Sequence, residues 1–254
     1  MQPIHKGQYR ARLAETPQDL RAAQRLRWIC FHARNGEADD GQVLDTDDLD
    51  AECQHMLVED VQTGALVCCF RFLPLTDGSQ IARSYSAQFY DLRALEGFDG
   101  PMVEMGRFCI HPDRHDPNIV RIAWAAMTRF VAESGVEMLF GCSSFFGCEP
   151  EPHAEAFTML KERHLAPRRW WPRVKAPSVF RFARALRLRK PDPKRAMAAM
   201  PPLLRSYLAM GGWVSDHAVV DPVLRTMHVF TGLEIRAIPP ARKRLLQAML
   251  SQPA

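Results

Sequence analysis

The chain has 254 residues, 47% of them hydrophobic and 24% charged, with a formal net charge of +4. That suffices for one well-buried core of the larger single-domain size, or a domain with an extension, and it excludes disorder of the chain as a whole. Its longest uncharged apolar stretches, such as residues 138–148 and 206–215, fall short of the ~20 residues that a membrane-spanning helix needs. The N-terminal Met1-Gln2-Pro3-Ile4-His5-Lys6 lacks the basic and apolar regions of a secretory signal, so a cytoplasmic protein is expected.

In chain order, residues 9–14 alternate as a short strand. Thr16-Pro17 then opens a helix with Leu20, Ala23, Leu26, Ile29 and Cys30 on one face. Residues 35–50 are rich in Asp, Gly and Glu without apolar period, which predicts a polar loop with at most a helical turn. Two apolar runs, 55–61 and 66–75, flank Gln62-Thr63-Gly64-Ala65 and predict an antiparallel hairpin. Residues 102–110 form a further strand. Asp116-Pro117 caps the helix that follows, whose apolar positions 119, 122, 123, 126, 127, 130 and 131 keep a 3.6-residue period. A strand at 137–143, a helix at 153–164 and a last strand around 179–183 complete the pattern. This order predicts an α/β sandwich opening at the end of the central strand, with a helix start that suits an anion.

Charge is unevenly placed. Residues 32–60 hold ten acids against the single base Arg34, and residues 168–195 hold eleven Arg or Lys against the single acid Asp192. Such faces are either simply solvated or, for the basic one, suited to an acidic carrier protein or anionic lipid; no recognition motif supports nucleic acid. Trp170, Trp171, Phe180 and Phe182 in that segment suit a core or an interfacial belt. Seven cysteines, with no C-x-x-C or H-E-x-x-H spacing, predict free thiols and no metal site.

Glu104-x-x-Arg107-Phe108, together with Arg27 and Phe31, Asp45 and Asp48, and Arg71 and Pro74, resembles the acyl-homoserine lactone synthases, a branch of the GNAT superfamily. A second set resembles the ornithine lipid N-acyltransferases over roughly residues 20 to 235. It comprises Asp48-x4-Cys53-x-His55-Met56-Leu57-Val58, Tyr85-Ser86-x2-Phe89, Arg107-Phe108-Cys109-Ile110-His111-Pro112-Asp113, Leu139-Phe140-Gly141-Cys142-x-Ser144, His164-Leu165-Ala166-Pro167, and Pro201-Pro202-Leu203-Leu204-Arg205-x-Tyr207-Leu208 with Gly212-Trp213.

The resemblance implies a GNAT-like three-layer α/β sandwich with a mixed sheet, with core residues 1–185 and a C-terminal extension over 186–254 packed on or adjoining it. It implies transfer of a 3-hydroxyacyl group from the 4'-phosphopantetheine arm of acyl carrier protein to the α-amine of L-ornithine, giving lyso-ornithine lipid. No permanently bound cofactor is implied. The product suggests peripheral contact with the cytoplasmic face of the inner membrane. The alternatives are an acyl-homoserine lactone synthase, an N-acyltransferase for glutamine or another amino acid, and a catalytically silent module binding carrier protein or lipid. One departure stands out: Arg114-His115-Asp116-Pro117-Asn118 lacks the glycines of the generic GNAT donor loop.

Glu104, a carboxylate within an apolar strand, is the candidate general base, with an ion pair to Arg107 or Arg71 as its structural alternative. A bulge at Gly106 is expected to bring Glu104 and Arg107 to one face and to free N–H groups for the thioester oxygen. Phe108, Cys109, Ile110 and Asn118 are the candidates on the donor side. Arg27, Asp45, Asp48, Arg71 and Arg107 suit the charges of a zwitterionic amino acid or form a structural ion network. His55 either pairs with Glu104 or begins a strand. Cys109 has no recognisable His and Asp or Asn partners, so direct transfer is expected rather than a covalent intermediate.

Overall fold

The computed structural model describes all residues except 34, 35, 37–40 and 252–254, with side chains described up to residue 246. In chain order the elements are β1 (Ile4–Lys6), β2 (Tyr9–Leu13), α1 (Pro17–Phe31), β3 (Gln54–Asp60), β4 (Leu66–Leu75), α2 (Ser86–Phe89), β5 (Tyr90–Asp91), β6 (Met102–Ile110), α3 (Pro117–Glu133), β7 (Met138–Phe146) and α4 (Ala154–Arg163). They continue as β8 (Arg173–Val174), β9 (Val179–Phe180), α5 (Phe182–Ala185), α6 (Pro193–Ala199), α7 (Pro202–Ala209), β10 (Trp213–Val214), β11 (Ala218–Asp221), β12 (Thr226–Glu234) and α8 (Pro240–Ser251). This is the mixed α/β class expected. Residues 35 and 37–40 of the polar loop predicted at 35–50 lie outside the described residues, and the helical turn expected in it is the 3-10 turn Asp48–Ala51.

The chain forms two compact units, whose boundary crosses β6 between Glu104 and Met105. The first contains β1 to β4, α1, α3, α8 and the second half of β6, with strand order β1-β2-β3-β4-β6. Thr16 accepts the Asp19 N–H in a capping box that starts α1, and Asp116 caps α3 with Pro117 in its first turn. The buried side of α3, including Ile119, Ile122, Ala123, Ala126, Met127 and Phe130, supplies apolar area at helical spacing. Phe130 stacks on Phe72 of β4 with centroids 4.1 Å apart.

The second unit has strand order β6-β7-β12-β11-β9, with β10 also paired to β12. β6 runs parallel to β7 only from Met102 to Glu104, whereas β7 pairs antiparallel with β12 from Met138 to Phe146. Residues 213–234, within the segment expected as an extension, thus supply three strands here, while α8 belongs to the first unit. The strand predicted at 179–183 is shorter: β9 pairs with β11 through Val179 and Phe180 alone, and Phe182 begins α5 instead. Its ring is fully buried against Phe157, with centroids 5.1 Å apart, so burial in the core overrides the strand pattern.

A buried polar cluster underlies β12. Tyr90 donates its hydroxyl proton to the His228 carbonyl oxygen at 2.7 Å and therefore accepts from Nδ1–H of the same histidine at 3.2 Å. Burial, offset by Asp221 and aided by His217, pushes His228 down to about 4 from 6.5. The folded state thus favours the neutral ring. The associated stability, roughly 3 kcal/mol, is present above pH 6.5 and lost progressively as pH falls toward 4. His228→Asn is expected to flatten that part of the pH dependence in urea titrations. An unchanged curve would remove His228 as its cause.

Candidate active site

Two groups of the expected residues are assembled, one in each unit. In the first unit, α1 carries Arg27, whose guanidinium is buried and donates from Nε to Asp45 Oδ2 at 2.8 Å. Arg27 also donates to both oxygens of Asp50, at 2.6 and 2.9 Å, and to the Asp45 carbonyl. Arg71 of β4 donates to Asp50 at 2.5 Å and bidentately to Asp47 at 2.5 and 2.7 Å. Arg107 of β6 reaches Asp47 Oδ2 at 3.1 Å, approaches Asp45 Oδ2 at 3.4 Å and lies over the Phe31 ring. Three guanidiniums thus meet three carboxylates.

The acids differ in part from those expected. Asp48 is exposed, whereas Asp47 and Asp50 point into the cluster. A capping box explains the choice: Asp47 caps the 3-10 turn Asp48–Ala51, and Asp50 answers to the Asp47 backbone. The D-x-x-D spacing at 47 and 50 was the available sequence signal. Gln24 adds a 2.9 Å donor to Asp50. Burial alone raises the Asp50 carboxyl, yet Arg27, Gln24 and Arg71 hold it well below the usual carboxylate range. His55, opposite Arg71 in the β3–β4 ladder, bonds the Asp50 carbonyl oxygen at 3.0 Å, and burial lowers its pKa.

Next to Gly106, where a bulge is expected, Arg107 has φ 55°, a left-handed conformation that costs a non-glycine residue about 1 kcal/mol or more. Phe108 packs on Phe70 with centroids 5.4 Å apart. Cys109 is buried with its Sγ 3.5 Å from Cys69 Sγ, and burial pushes its thiol well above the ordinary value. That state is unsuited to a nucleophile. The Ile110 carbonyl accepts from the Cys30 thiol at 3.3 Å.

The start of α3 departs from the expected anion site. Pro117 has no N–H, Asn118 N–H goes to Asp116 Oδ1 at 2.8 Å, and Ile119 N–H goes to the Asp116 carbonyl at 3.1 Å. Asp116 itself is held by the Tyr9 hydroxyl at 3.0 Å. The cap therefore occupies the donors a phosphate would need. The Asn118 side chain accepts from Arg121 at 3.1 Å.

In the second unit, Glu104 is 3% exposed. Its Oε2 accepts the Tyr85 N–H at 2.7 Å, and its Oε1 accepts both the Ser86 N–H at 2.8 Å and the Ser86 hydroxyl at 2.5 Å. Burial favours the neutral acid, while these donors favour the carboxylate. The Ser86 oxygen also lies 3.4 Å from Cys142 Sγ. Lys175 donates to the Ala87 carbonyl at 2.6 Å and Ala176 N–H to the Phe89 carbonyl at 3.0 Å, pinning α2 beneath Glu104. Like Asp47 and Asp50 in the first unit, Ser86 is not among the candidates read from the sequence, although its Tyr85-Ser86-x2-Phe89 motif is visible there. Ser86→Ala removes one donor from Glu104 and is expected to reduce kcat by about 3- to 10-fold with a displaced pH profile. An unaltered pH profile would exclude Ser86 as a positioning residue.

Residues 26–125 match the acetyltransferase (GNAT) domain family. Over 239 residues the chain is 31% identical to L-ornithine N(alpha)-acyltransferase of Rhodobacter capsulatus, covering 91% of each chain. The chain belongs to the L-ornithine N(alpha)-acyltransferase family. It is likewise 30% identical over 238 residues to the enzyme of that name from Rhizobium meliloti, covering 89% of this chain and 80% of that one. Among solved structures, an N-acyl amino acid synthase from uncultured soil microbes superposes with a TM-score of 0.51 at 12% identity, covering 93% of this chain and 98% of that one. That likeness shows a shared GNAT-like fold. Membership of that family makes the chain an acyltransferase.

Proposed function

We propose that this acyltransferase moves a 3-hydroxyacyl group from the 4'-phosphopantetheine thioester of acyl carrier protein to the α-amine of L-ornithine, giving lyso-ornithine lipid. The observation that carries the acceptor reading is the rim of the arginine–aspartate cluster. Arg27, Arg71, Asp45 and Asp50 are buried, while the Asp47 and Arg107 side chains are 25% and 13% exposed. A zwitterion exchanging with the Asp47–Arg107 pair finds a guanidinium for its carboxylate and a carboxylate for its δ-ammonium, which leaves the α-amine to react. The curated relatives carry ornithine in their names, which supports the same acceptor.

In the proposed step Glu104 takes a proton from the α-ammonium, directly or through water, and the neutral nitrogen attacks the thioester carbonyl. The N–C bond forms and the C–S bond breaks. The pantetheine sulfur leaves as a thiolate that takes a proton, and the amide nitrogen gives up its second proton. The donor-side segment from Phe108 to Ile110 contacts the thioester through its backbone in this reading, with no bond to Cys109.

Mass spectrometry of the products formed from 3-hydroxyacyl carrier protein and a mixture of ornithine, glutamine and S-adenosylmethionine tests the acceptor directly. N-acyl ornithine is expected. An acyl glutamine or an acyl-homoserine lactone would reassign it. Lipid analysis of an aminolipid-free host expressing the chain checks that the product is made in cells.

A further inference from the structure

The basic segment ends in a surface that neither the acceptor nor the donor chemistry uses. Arg181, Arg184, Arg187 and Lys190 are all exposed. None of these four has a carboxylate partner among the described residues. Elsewhere in the segment, Arg169 meets Glu234 at 2.9 Å and Arg189 meets Glu155 at 2.6 Å. Between Arg187 and Arg189 stands Leu188, 86% exposed.

This turn is built rather than loose. The ammonium of Lys161 in α4 donates to the carbonyl oxygens of Leu186, Arg187 and Arg189 at 2.9, 3.4 and 2.7 Å. Arg189 N–H closes on the Leu186 carbonyl at 3.0 Å, and Phe182, just before the turn, is buried. A main chain wrapped around one ammonium holds the leucine outward, where water gives it nothing. A single exposed leucine is ordinary by itself, but here it stands among four exposed bases on a turn that the main chain holds outward, which gives the basic surface an apolar tip.

We propose that this turn is a docking surface for an anionic lipid bilayer. Arg181, Arg184, Arg187 and Lys190 lie against acidic headgroups, and Leu188 enters the boundary between headgroups and acyl chains. An acidic protein would need an apolar pocket placed to match the leucine as well as acids to match the four bases, whereas the acyl boundary of a bilayer receives a leucine at any position. The bilayer uses both features at once. The inference concerns binding and stands whether or not ornithine is the acceptor.

Sedimentation of the purified full chain with vesicles tests it without any turnover. Vesicles of phosphatidylglycerol and phosphatidylcholine are expected to bind at least about tenfold more tightly than phosphatidylcholine alone, with affinity falling as salt rises. Arg184→Glu with Arg187→Glu and Lys190→Glu is expected to weaken binding by about a hundredfold. Leu188→Asn is expected to weaken it by about fivefold with the same salt dependence, since charge is unchanged. Equal binding to neutral vesicles, wild-type binding by the triple variant, or no effect of Leu188→Asn would each overturn the proposal. A triple variant that keeps its vesicle binding but raises KM for acyl carrier protein assigns the surface to that acidic protein instead.

Discussion

Glu104→Gln is expected to lower kcat for acyl transfer by about a hundredfold or more, because the amide cannot take the proton that the α-ammonium must lose. The effect falls on kcat rather than KM if the proton moves after binding. The substitution is not neutral for the fold. The carboxylate spreads three donors over two acceptor oxygens, and a glutamine must turn its NH2 group toward one of those N–H groups. A cost of roughly 1–3 kcal/mol at the start of α2 follows. Denaturant unfolding alongside the kinetics separates the two effects. Turnover near the wild-type value would leave Glu104 as the cap of α2 and nothing more.

Asp50→Ala is expected to produce the largest loss of stability of any single change in the cluster, about 3–5 kcal/mol. Asp50 is the carboxylate shared by Arg27 and Arg71, both buried, and it also receives Gln24. Its removal leaves two guanidiniums in the interior short of counter-charge. Asp48→Ala, two residues away but exposed, is the internal control and is expected to stay within about 0.5 kcal/mol of wild type. Midpoints of urea unfolding at constant slope read both. A loss below about 1 kcal/mol for Asp50→Ala would show that the cluster rearranges readily. Such a cluster would open to a ligand at little cost. The Asp50 contribution is present above the unfolded carboxylate value of 3.8 and is lost as pH falls below it, since the folded carboxyl is held lower.

The residues of this chain determined by themselves whatever rests on local chemistry. Thr16-Pro17 and Asp116-Pro117 start helices because a side-chain oxygen meets an orphan N–H and proline needs none. The β3–β4 hairpin and the long central strand β6 follow from apolar runs broken by turn residues. Arg27, Asp45, Arg71 and Arg107 were recognisable as a charged set. Only the tertiary structure decided which acids complete it, because register around the capped turn at Asp47 sends Asp47 and Asp50 inward and Asp48 to water. It also decided that Glu104 is met by Tyr85 and Ser86, some twenty residues earlier in the chain, and that Arg107, beside Gly106, takes a left-handed backbone. The start of α3 shows the same division. Its cap was legible in Asp116, but that the cap also consumes the donors offered to an anion depends on hydrogen-bond directions in three dimensions. Strand β12, nine residues long and paired along its whole length with β7, was passed over because burial on both faces removes the alternation by which a strand is read.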